Sequence, residues 1–153
     1  MHLSCQKAFI LLAAFTLACH ETTSPPAVLR SFGLESVDNQ PVPTVIRASG
    51  GDTTLLYSAN LTLYEGGTAD IVARSRQVHS TLPPREATDT AHYLYRIIGD
   101  SLALEYPCRD TATCVAPPFG KFTTGTTVTL YYYDNFNIGH FVTYLYRGSY
   151  ALD

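Results

Sequence analysis

The sequence predicts an all-β domain: a single antiparallel meander of about eight strands forming an up-and-down barrel, with a two-sheet β-sandwich as the alternative. Three observations predict it. Eleven Tyr, seven Phe and no Trp, set among dense Thr, suit strands better than helices. Apolar residues alternate with polar ones over several windows. Short Gly-, Asp- and Asn-rich turns separate these windows, while helical spacing occurs only near the N-terminus. The length of 153 residues allows one domain rather than two.

The strands follow in order. Residues 29–37 open the domain. In 53–64, Leu55, Tyr57, Ala59, Leu61 and Leu63 share one face, and Ser58, Asn60 and Thr62 the other. Glu65-Gly66-Gly67-Thr68 supplies a turn, because glycine reaches positive φ without steric cost. The chain returns over 69–78 with Ile71, Ala73 and Ser75 opposite Asp70, Arg74 and Arg76. Residues 77–90 show no period and contain Pro83-Pro84, so they are expected to form a long loop. A second hairpin joins 91–98 through Gly99-Asp100 to 101–106, where Leu102, Leu104 and Tyr106 share a face. Residues 121–123, 126–133 and 140–147 complete the meander.

The N-terminus reads as an address. Residues 8–18 are an uncharged apolar run of 11 residues, too short to span a membrane, which takes about 20. Phe15-Thr16-Leu17-Ala18-Cys19 resembles the lipobox of bacterial lipoproteins, with Thr16 where Leu is more common. That resemblance implies a signal peptide over 1–18, an acylated Cys19 and a membrane anchor at the bacterial cell envelope. With His20 rather than Asp after the cysteine, it implies the outer membrane. Residues 19–28, polar and proline-ended, form the expected tether, and 29–153 the barrel domain. Cys5 leaves with the signal, so Cys108 and Cys114 remain in an oxidising compartment. They are expected to pair as a structural clip.

Residues 31–43 (SFGLESVDNQPVP) resemble the opening strand of small bacterial lipocalin-like lipoproteins, with Asn39 where that family commonly has Gly. The hairpin over 95–104 and the ending Tyr144-Leu145-Tyr146-Arg147 are similar too. The resemblance implies an eight-stranded calycin-type barrel and carries no catalytic residues.

Composition and motifs exclude several functions. A net charge of −3 with no basic run argues against nucleic-acid binding, which requires cations to meet phosphates. His20, His79, His92 and His140 lie too far apart for a compact metal motif. No nucleophile elbow or phosphate loop occurs. No enzyme activity, cofactor or metal is therefore expected. The candidate ligand-lining residues are Tyr93, Tyr95, Tyr131, Tyr133, Tyr144 and Tyr146, three same-face pairs that would line a barrel interior if they point inward. The expected function is a monomeric, non-catalytic binding barrel for a small apolar or amphipathic ligand. The alternative is an interaction lipoprotein that docks on another envelope component through a Tyr-rich face or the 77–90 loop. Tyr131-Tyr132-Tyr133 places rings on both faces, so spacing alone leaves both readings open.

Overall fold

The computed structural model describes residues 25–107, 116–133 and 141–149. Cys19, Cys108 and Cys114 lie outside them. The described residues form ten strands and no helix: β1 (Val28–Val37), β2 (Gln40–Pro41), β3 (Thr44–Ser49), β4 (Asp52–Tyr64), β5 (Thr68–Val78), β6 (Arg85–Ile98), β7 (Ser101–Glu105), β8 (Phe119–Thr124), β9 (Thr127–Tyr133) and β10 (Phe141–Ser149).

All neighbouring pairs are antiparallel, and β1 pairs with β10 on one side and β4 on the other. That second pairing closes β1 and β4–β10 into an eight-stranded up-and-down barrel, with β2 and β3 as additions outside the ring. Closure removes the open edges that a free sheet would present. The β1–β2 hairpin turns on Asp38 and Asn39, both at positive φ, a conformation their short polar side chains tolerate. The Asp38 carboxylate also accepts hydrogen bonds from the Thr143 backbone N–H (2.7 Å) and hydroxyl (3.0 Å), tying this turn to β10.

The two ends of the barrel differ. Short turns at 65–67, 99–100 and 125–126 lie at one end. There the Glu65 N–H donates to the Ala27 carbonyl at 2.9 Å. The longer β5–β6, β7–β8 and β9–β10 connections, together with the β2–β3 excursion, join strand ends at the other.

Interior positions alternate along β5, β7 and β9. Phe32, Leu61, Leu63, Ala69, Ile71, Leu102, Leu104, Val128 and Leu130 are buried in one cluster. Each fully buried Leu contributes about 1.5–3 kcal/mol relative to exposure. Packing is tight where Gly120 faces Leu130 and Gly148 faces Phe32: a Cβ there would lie 2.6 and 2.7 Å from those side chains.

Three sequence expectations are corrected. The alternation along β4 changes phase at a bulge between Leu56 and Ser58. The extra residue puts Leu56, not Leu55, on the buried face with Ala59, Leu61 and Leu63. The expected 77–90 loop is only residues 79–84, because β6 begins at Arg85 and pairs with β5 from Gln77↔Arg85 onward. Its first turns of strand are solvated on both faces, which erases the alternation. Finally, β2 and β3 were absent from the expected count; β3 is almost wholly exposed, so it too carries no inside–outside pattern.

Candidate functional site

The interior at the long-connection end is built from tyrosine. Tyr93 on β6, Tyr132 on β9, and Tyr144 and Tyr146 on β10 point inward, joined by Tyr106 just after β7. Inward register follows from their neighbours: Tyr93 opposes Ala69, Tyr144 opposes Leu130, and Tyr146 opposes Val128. The Tyr93 and Tyr106 hydroxyls lie 3.3 Å apart and their rings 4.9 Å apart. The Tyr132 and Tyr144 ring centroids are 4.5 Å apart. Burial, above all, pushes the hydroxyls of Tyr93, Tyr132, Tyr144 and Tyr146 above the ordinary phenol range. They stay neutral at physiological pH and offer hydrogen bonds rather than charge.

The remaining candidate tyrosines lie elsewhere. Tyr95 also points inward but reaches the short-turn end, where its hydroxyl donates to the Tyr64 carbonyl at 3.0 Å and closes the floor. Tyr131 and Tyr133 do not line the interior. Val128, Leu130 and Tyr132 take the inward positions of β9, which turns Tyr131 and Tyr133 to the outer wall. There Tyr131 stacks on Phe119 at 5.1 Å, and Phe141 meets Phe119 and Tyr133 edge-on. Phe119, Phe141 and Tyr133 are exposed, so the four rings form an outward aromatic face on β8–β10.

No protein-family model, curated protein or solved structure matches the chain. The lipocalin-like resemblance therefore rests on the motifs in residues 31–43, 95–104 and 144–147.

Two His–Asp pairs lie on the outer wall. The His79 Nδ1 is 3.2 Å from the Asp52 Oδ2, beside an open pocket of about 250 Å³ that includes Arg47 and Gln77. The Asp52 carboxyl sits below the ordinary carboxylate range, held there mainly by the hydrogen bond with His79 and then by the Ser80 backbone. The His92 Nδ1 is 2.6 Å from the Asp70 Oδ1, and the Tyr64 hydroxyl donates to the Asp70 Oδ2 at 3.3 Å. These three residues line a second pocket of about 380 Å³.

Sequence reading missed Tyr106 and Tyr132 among the interior rings, and missed the Tyr64–Asp70–His92 cluster. Leu102-x-Leu104-x-Tyr106 did carry the signal for Tyr106, since all three share a face. The cluster depends on the cross-strand pairing Asp70↔His92. That register could not be fixed while residues 77–90 were read as a loop. Among the described residues, no group of three metal-ligating side chains converges.

Proposed function

We propose that the chain is a membrane-anchored envelope lipoprotein whose barrel binds a small amphipathic ligand, without catalysis, at its long-connection end. One observation carries this reading: five inward tyrosines gather at the long-connection end of the interior, whereas Tyr95 reaches the opposite end and is spent on the Tyr64 carbonyl. A barrel filled only for stability gains nothing from tyrosine over phenylalanine or leucine, because each buried hydroxyl needs a partner to offset its desolvation. Tyr93, Tyr106, Tyr132, Tyr144 and Tyr146 instead provide apolar walls with polar tips, the lining suited to a molecule that is part hydrocarbon and part polar. The lipobox-like 15–19 segment and the proline-ended tether support the anchoring.

The test is native mass spectrometry of the mature protein, purified from its own host's envelope. A reproducible added mass that disappears on denaturation is the expected result. A native mass equal to that of the denatured protein would overturn the binding reading. The exposed Phe119–Tyr131–Tyr133–Phe141 face favours a second reading, in which the lipoprotein docks on another envelope component through its outer wall. An unchanged native mass with a stoichiometric co-purifying protein would move the conclusion there.

A further inference from the structure

We propose that the outer wall of β4–β6 carries a separate binding site for a small organic amine, built on Asp70. The site is formed by register. Asp70 and His92 are direct cross-strand partners, and Tyr64 approaches from the end of β4, next to the turn that leads into β5. The Asp70 carboxylate takes the Tyr64 hydroxyl on one oxygen and the His92 Nδ1 on the other, at 3.3 and 2.6 Å.

A carboxylate can only accept, so the Nδ1 that faces it carries a proton. Both carboxylate oxygens retain further lone pairs, and the Thr68 hydroxyl stands in the same lining. Burial, followed by the nearby Asp70 charge, raises the Tyr64 hydroxyl above its ordinary range, so it remains a donor to Asp70. The polar surface offered to a ligand is centred on the Asp70 carboxylate, whose remaining lone pairs can only accept.

The rest of the wall is largely apolar. Pro25, Pro26, Tyr93, Leu94 and Pro107 border a pocket of about 380 Å³ to which no Lys or Arg contributes. The bond from the Glu65 N–H to the Ala27 carbonyl fixes the segment that carries Pro25 and Pro26. Such a pocket complements an ammonium group, with its several donors and its positive charge, attached to a compact hydrocarbon body. The ammonium would meet Asp70, and the Tyr64 ring adds a face that attracts cations. An anionic head would face the Asp70 carboxylate, with no Lys or Arg in the lining to offset it. Among the described residues no hydroxyl donates to His92, so the pair presents no activated nucleophile. The arrangement is one for recognition rather than hydrolysis.

The experiment compares three probes of matched shape on the full-length chain in neutral buffer: phenethylamine, 2-phenylethanol and phenylacetate. Calorimetry gives affinity, and the His92 ring signals in NMR, assigned with His92→Gln, give location. The amine should bind saturably and move the His92 signals, the alcohol should bind at least about tenfold more weakly, and the carboxylate should not bind. Asp70→Asn should weaken the amine by about tenfold or more while leaving circular dichroism unchanged. Binding of amine and carboxylate alike, binding of neither, or amine binding that Asp70→Asn leaves intact would overturn the proposal. Amine binding that shifts interior tyrosine signals but not His92 would also overturn it, while leaving the interior site untouched.

Discussion

Gly148 sits opposite Phe32 across the β1–β10 pair, and the ring fills the space a side chain at 148 would need. A Cβ there would fall 2.7 and 2.8 Å from Phe32 Cδ1 and Cε1 and 3.1 Å from the Ser31 carbonyl. The backbone limits relief on one side, and the neighbouring Leu34 and Leu61 belong to the same packed cluster as Phe32. Gly148→Ala should therefore destabilise the fold by about 1–3 kcal/mol, the ordinary range for overpacking. Urea unfolding checks this, with an unchanged m-value marking a pure stability effect. Paired with Phe32→Leu the loss should shrink, because the smaller side chain vacates the contested space. This residue-level fit was invisible in the sequence. Residues 29–37 were legible as the opening strand, but which neighbours their side chains meet was not. A glycine in a strand announces only that some neighbour approaches closely, and which one depends on register.

Register is also where whole elements were misread. Strict period two from Leu55 to Leu63 treats β4 as uninterrupted, yet the bulge after Leu56 inserts a residue and reverses the two faces above it. Leu56 is 3% exposed, while Leu55 lies partly open on the outer wall. Leu56→Ala should thus cost about 2–5 kcal/mol, the range for emptying a core site, and Leu55→Ala markedly less. Thermal or urea unfolding of the two variants side by side decides it; equal losses would mean that β4 runs without a phase change. The hairpin of β4 and β5 was legible because Glu65-Gly66-Gly67 names its own turn, and Gly66 and Gly67 both take positive φ. The start of β6 was not. Pairs such as Arg76↔Glu86 and Arg74↔Thr88 are polar on both partners, so pairing alone makes that segment a strand. The same loss of contrast concealed β3, and with it the pocket around Asp52 and His79.

For the whole molecule, the meander order and the up-and-down barrel were readable from the succession of turns, but the strand pair that closes the ring was not. Closure depends on Phe32↔Leu61 and Gly33↔Asn60 between β1 and β4, which the β2–β3 excursion separates in sequence. Once the barrel is closed, its tyrosines share a titration behaviour that no single strand would show. Burial is the leading cause holding the Tyr93, Tyr132, Tyr144 and Tyr146 hydroxyls above the ordinary value of 10.0. The folded state therefore keeps protons that the unfolded chain releases as pH passes 10, the unfolded value. Stability from these groups is fully present below that pH and falls as pH rises above it. Each such group adds a slope of about 1.4 kcal/mol per pH unit. The melting temperature should accordingly decline steeply above pH 10. Tyrosinate absorbance should rise in two stages, exposed rings first and interior rings only with the loss of near-ultraviolet circular dichroism. Tyr146→Phe removes one releasable proton and should flatten the alkaline slope by about that single-group amount. If every tyrosine instead ionised in one stage with the fold intact, the interior rings would have to be open to solvent. The long-connection end would then be a flooded funnel rather than a sheltered, hydroxyl-tipped lining.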